Sequence, residues 1–271
     1  MISIIFLDIL CLINIIYFKG VIALKKLTAL IGLYIAKNLF STLFSILNDI
    51  KKGNKSKFHP NALYLEKDDK LNGKKILFLG SSITYGAASH GVSFVEFLKE
   101  ESKVDTTKEA ISGTTLAGLE KNSYVQRIKK EDLKKNYYDL IICQLSTNDS
   151  RFKKALGEIS LDYELENFNT ETTIGAMEYI ISYAKNTWNT PVLFYTCIRK
   201  SDPYYEHLIN VLYKLKDKWD IEILDVWNNM EANDLKKYDK TLFADDAHPT
   251  LKGYRYVYFP LFKEKIKCIF S

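Results

Sequence analysis

The sequence predicts an α/β protein in which helices cover both faces of a mostly parallel sheet. Two observations carry this. Short, mainly apolar runs recur at 76–79, 139–145 and 192–197, the pattern of strands buried on both faces, and a further strand is expected at 221–226. Longer amphipathic stretches at 172–185 and 207–219 lie among them, and strands alternating with helices of that length form parallel crossovers.

Taken in order, the chain begins with an apolar run at 2–18, broken by Ser3, Asp8 and Asn14 and ending at Lys19. Its length is close to the minimum for a membrane span. It makes a poor signal peptide, because no basic residue precedes it and no small-x-small cleavage site follows. A second apolar stretch, 27–47, carries Asn38, Ser41, Thr42, Ser45, Asn48 and Asp49 as a polar stripe at helical spacing, which suits a helix in a membrane interface or packed on a domain. Residues 1–50 are thus expected to form an apolar helical arm with membrane contact; the alternative is a soluble, cytoplasmic protein whose arm packs on its body. Lys19, Lys25 and Lys26 favour a cytoplasmic turn between the two stretches, so a hairpin leaves the body outside and a single span leaves it inside.

Residues 51–74, with Gly53, Pro60 and Gly73, read as a polar linker, and 75–271 as one domain. Within it the strand at 76–79 leads to a helix around 94–98. A short strand follows near 104–110, then a turn at 112–114 and a charged amphipathic stretch at 124–135. The strand at 139–145, helix at 172–185, strand at 192–197, helix at 207–219 and strand at 221–226 come next, and 251–269 is helical in part.

Charge separates along this division. Residues 1–75 hold 12 Lys and Arg against 5 Asp and Glu, leaving 26 against 28 in the remainder, so the first part is +7 and the body −2. A net negative body argues against nucleic-acid binding. Cys11, Cys143, Cys197 and Cys268 have neither metal-ligand nor redox spacing, and Cys143 and Cys197 fall in core strands as inert buried thiols. Neither a metal nor an organic cofactor is expected, and the oligomeric state is open.

The chemistry concentrates where the first strand stops. Gly80-Ser81-Ser82 follows Ile76-Leu77-Phe78-Leu79, and in an open parallel sheet the crevice beyond the carboxyl ends of the strands binds ligands. Ser82 is the candidate nucleophile; the plainer alternative is a helix cap and turn. A phosphate-binding loop is excluded by the missing Gly-Lys-Ser/Thr ending, and the α/β-hydrolase elbow by Thr84, which stands where a glycine is required. Other strand ends are followed by Gly113, by Ser146-Thr147-Asn148-Asp149, and, ahead of the last helix, Asp245-Asp246-Ala247-His248 occurs. Acyl transfer by serine needs a base, a carboxylate to hold it and donors for the oxyanion, and these loops contain one candidate for each.

Over roughly 75–260 the chain resembles the SGNH hydrolases, also called GDSL esterases. Gly80-Ser81-Ser82 stands at the Gly-Asp-Ser block, Gly113 at the second-block glycine, Asn148-Asp149 at Gly-x-Asn-Asp, and Asp245-x-x-His248 at Asp-x-x-His. The resemblance implies a flavodoxin-like α/β/α sandwich with Ser82 as nucleophile, His248 as base and Asp245 as its orienting carboxylate. The backbone N–H groups of Ser82 and Gly113 and the Asn148 amide would then form the oxyanion hole. Ser81 replaces the first-block aspartate and Ser146 the third-block glycine, the latter bearing on the pocket and its substrate. Asp149 is expected to support its loop, Asp246 to stand outside the triad, and His59, His90 and His207 to be surface or packing residues. Trp227 and the tyrosines are expected in the core rather than along a sugar cleft.

The expected function is hydrolysis of small acyl esters through an acyl-enzyme, with carbohydrate O-acetyl esters the leading substrate. Alternatives are a lysophospholipase or short-chain lipid esterase, an acyltransferase using the same serine, and a non-catalytic glycan-binding protein.

Overall fold

The computed structural model describes residues 28, 32–65 and 70–271, so the apolar run at 2–18 and Cys11 lie outside the described residues. The chain divides into two compact units, Met1–Asn48 and Asp49–Ser271. Residues 32–53 are helical (α1), and Leu33, Leu39, Phe40, Leu43, Phe44 and Leu47 are exposed on it. Among the described residues, no helix is long and apolar enough to cross a membrane.

The second unit is built on five strands: β1 (Lys75–Gly80), β2 (Asp105–Ala110), β3 (Leu140–Gln144), β4 (Val192–Tyr195) and β5 (Glu222–Leu224). Their order is β2-β1-β3-β4-β5 and every pairing is parallel. Alternate residues of the central strands feed two cores. Leu77, Leu79, Ile141, Cys143 and Phe194 belong to the core shared with α7 (Thr173–Trp188) and α8 (Pro203–Trp219). Ile76, Phe78, Ile142, Leu193 and Tyr195 belong to the core shared with α3 (Phe94–Ser102) and the C-terminal helices. This double burial produces the unbroken apolar runs in the sequence. β2, an edge strand reading Asp-Thr-Thr-Lys-Glu-Ala, is only half-buried and correspondingly polar.

Local chemistry fixes the helix ends. α3 starts with a capping box, the Ser93 hydroxyl accepting from Val95 N–H while the Glu96 carboxylate accepts from Ser93 N–H. Asp202 caps α8, with Pro203 at its first position. The charged amphipathic stretch at 124–135 forms two single turns, α4 (Tyr124–Arg127) and α5 (Glu131–Lys134), and Arg127 in the first is buried. The C-terminal run is continuous: α10 (Leu251–Gly253), a π turn (Tyr254–Tyr258) and α11 (Phe259–Ile269), with α9 (Met230–Tyr238) before it.

The segment at 51–74, read as a polar linker, falls within the second unit. The Asn54 side chain donates to the Ala88 carbonyl and accepts from Leu251 N–H, and Phe58 and Leu71 are buried. Cys143 and Cys197 are buried, and burial pushes both thiols up, Cys197 to about 12. Trp227 packs against the Tyr205 ring, in keeping with a core residue.

Candidate active site

The strand order reverses between β1 and β3, and a ligand crevice opens where such a sheet switches direction. The nucleophile candidate stands there. Ser82 is the first residue of a one-turn helix, α2 (Ser82–Tyr85), that leaves β1 without a loop. The turn requires glycine at 80, since a Cβ there would lie 1.7 Å from Thr84 Oγ1. Gln144, the last residue of β3, anchors it: its Oε1 accepts from Ser81 N–H and from the Thr84 hydroxyl, both at 2.9 Å. From the other side, the Tyr254 hydroxyl donates to the Ile83 carbonyl at 2.6 Å.

His248 and Asp245 arrive from the loop before α10, pinched shut where Ala244 N–H donates to the His248 carbonyl at 2.8 Å. The three-residue spacing has a geometric reason. Asp245 Oδ1 accepts the N–H groups of Ala247 and His248, both at 2.8 Å, while Oδ2 lies 2.8 Å from His248 Nδ1. A carboxylate on Nδ1 keeps the proton there, so Nε2 is the acceptor facing the Ser82 hydroxyl at 2.7 Å. Burial raises the Asp245 carboxyl, but hydrogen bonds from the His248 ring and the two N–H groups outweigh it and hold the pKa at about 2.

Gly113 and Asn148 line the same cleft, of about 600 Å³, as Ser82, Asp245 and His248, so the structure brings together all five residues singled out in the sequence. Gly113 has φ +79°, a conformation that favours glycine. Asn148 lies in α6 (Thr147–Arg151), capped by Ser146, and one of its amide hydrogens is given to the Thr114 carbonyl at 2.9 Å. Among the described residues, the N–H groups of Ser82 and Gly113 have no acceptor. Asp246 is absent from the Ser82–His248–Asp245 row. His59, His90 and His207 are exposed.

The two departures from the family pattern have distinct surroundings. Ser146 donates to the Thr114 carbonyl and accepts from Asn148 N–H, so it ties the Asn148 turn to the Gly113 loop. Ser81 is buried, its backbone held by Gln144. Asp149 is buried as well, where it accepts from the N–H groups of Leu116 and Ala117 and from the Thr173 hydroxyl. It therefore clamps the segment after Gly113.

Sequence reasoning missed Arg127. It is 0% exposed, and its five N–H donors meet five acceptors: the carbonyls of Gly80 (2.8 Å), Glu109 (2.6 Å) and Asn122 (2.9 Å), the Thr114 hydroxyl (3.2 Å) and Glu109 Oε1 (3.3 Å). One guanidinium thus joins the end of β1, the end of β2 and the loop bearing Gly113. Nothing in a stretch rich in charged residues distinguishes it, whereas Gln144, a polar residue closing an apolar strand, carried a readable signal. Lysine at 127 cannot span these acceptors. Arg127→Lys is expected to lower unfolding free energy by about 2–4 kcal/mol in urea, since each orphaned buried acceptor costs about 1–3 kcal/mol.

Ser82, His248 and Asp245 thus stand in one hydrogen-bonded row at the end of an α/β/α sheet. The model of the GDSL-like Lipase/Acylhydrolase family matches residues 78–256, and the chain belongs to that family. Solved structures with the same fold include a Lactobacillus plantarum protein (17% identity, TM-score 0.57, covering 73% of this chain and 96% of that one). A candidate GDSL-like lipase from Bacteroides ovatus aligns at 15% identity and TM-score 0.53, over 73% and 98% of the two chains. An acetyl xylan esterase, AlAXEase, aligns at 21% identity and TM-score 0.51, over 72% and 98%. No curated protein matches.

Proposed function

We propose that the protein is a serine esterase for short acyl esters, foremost O-acetyl groups on carbohydrate. Ser82 attacks the ester carbonyl while His248 Nε2 takes its proton, and Asp245 holds the imidazole and the positive charge it gains. The N–H groups of Ser82 and Gly113 and the Asn148 amide receive the oxyanion. His248 then returns the proton to the leaving alcohol, and water repeats the sequence on the acyl-enzyme.

One observation carries the substrate reading. Among the residues lining the cleft around Ser82, no apolar side chain is larger than alanine, the others being Ser, Thr, Asn, Asp, Arg, Lys, His and Gly. The walls of this cleft offer a long acyl chain no apolar surface, and burying each methylene is worth about 0.8 kcal/mol. An acetyl group and a hydroxyl-rich alcohol fit such walls, which supports the carbohydrate ester over a long-chain lipid ester. The test is a series of 4-nitrophenyl esters from acetyl to decanoyl. kcat/KM is expected to fall by at least about tenfold along it; a rise with chain length would sink this reading.

A further inference from the structure

The cleft around Ser82 holds positive charge that ester hydrolysis does not use. Arg151 at the end of α6, and Arg199 and Lys200 in the loop after β4, line it together with Ser82 and His248. Two of the three acids on the same lining have other commitments. Asp245 serves His248. Asp202 pairs with Arg199 at 3.0 Å, accepts the Ser150 hydroxyl and caps α8 through the N–H groups of Tyr204 and Tyr205. Asp246 is exposed, and its backbone carbonyl, not its carboxylate, accepts from the Lys236 ammonium.

The cations are less satisfied. Among the described residues, Arg151 and Lys200 are exposed and pair with no carboxylate. Arg199 is held in place, Nη1 on the Thr147 carbonyl at 3.2 Å and Nη2 on Asp202, yet its Nε is buried without a partner. A guanidinium fixed this way, flanked by two unpaired cations, is suited to a planar anion. A second cleft of about 580 Å³ continues past the shared Gly113, lined by Thr114, Asn122, Ser123 and the exposed Phe152 ring, and has room for an adjoining sugar unit.

Resting on the esterase reading above, we propose that Arg151, Arg199 and Lys200 form a subsite for a carboxylate on the sugar that carries the acyl group, so that the preferred substrate is an O-acylated acidic glycan. A lipid ester with an anionic headgroup shares the charge but lacks an apolar slot for its chain.

The full chain is assayed by acetate release from a matched pair, an acetylated methyl glucuronide and the corresponding acetylated methyl glucoside, with 4-nitrophenyl acetate as neutral reference. The glucuronide is expected to have roughly tenfold higher kcat/KM at low salt, within the range of electrostatic focusing, and the ratio is expected to shrink at about 0.5 M salt. Arg151→Gln combined with Lys200→Gln is expected to bring the ratio within about twofold of unity, whereas Lys214→Gln, on the exposed side of α8, retains it. Equal rates on the pair, a ratio surviving in the double variant, or preference for an anionic lysophospholipid overturns the proposal. Hydrolysis of 4-nitrophenyl acetate alone, lost in Ser82→Ala, overturns the subsite and leaves the esterase standing; inertness toward every ester removes both.

Discussion

Ser82→Ala is expected to lower ester hydrolysis by about 10⁴–10⁶-fold and to abolish labelling by a fluorophosphonate, the scale on which removing a serine nucleophile acts. The fold is expected to persist. The Ser82 hydroxyl has one partner, His248, and the turn is held by other groups: Gln144 on Ser81 and Thr84, Tyr254 on Ile83, and the Ser82 carbonyl accepting from Gly86 and Ala87. Urea unfolding of the variant should therefore coincide with that of the parent within about 1 kcal/mol. Residual hydrolysis above a tenth of the parent's, from folded protein, would remove Ser82 from the role proposed for it, and the glycan-binding alternative would become the stronger one.

Physical causes separate what the sequence disclosed from what it did not. β1, β3 and β4 were legible because burial on both faces forces consecutive apolar residues, which no solvent-facing element tolerates. β2 was weaker, its edge position allowing Thr, Lys and Glu to alternate. α2 escaped, since four residues are too few for a helical period and its start is fixed by Gln144, 62 residues beyond Ser82. Arg127 escaped for the same reason: a buried arginine and a solvated one look alike until the carbonyls of Gly80, Glu109 and Asn122 are placed around it. The Asp245-x-x-His248 spacing was readable because its geometry is local. One carboxylate satisfies two N–H groups and a ring nitrogen within four residues. Arg151, Arg199 and Lys200 were not singled out, since they reach the cleft of Ser82 from loops and helix ends 69 to 118 residues further along the chain.

Asp245 and Asp246 offer the sharper distinction, because they are adjacent, chemically identical and differently placed. Asp245→Asn is expected to reduce kcat by roughly 10³–10⁴-fold, since an amide donating to Nδ1 favours the tautomer that presents N–H rather than a lone pair to Ser82. Asp246→Asn is expected to stay within about threefold of the parent, because it removes no partner from His248. Acidification gives a second handle. The Asp245 carboxyl is held at about 2, against about 3.9 in an unfolded chain. Its contribution to stability is therefore complete above about pH 4 and is lost as the pH falls toward 2. The stability difference between the parent and Asp245→Asn, followed by thermal unfolding, is expected to be constant from neutrality to about pH 5 and to narrow below pH 4. The effect is small, because the side chain is 52% exposed and solvent screens it. Equal losses of kcat in the two asparagine variants would mean that the Asp245–His248 contact does not set the imidazole, and the proposed relay from Asp245 to Ser82 would fall with it.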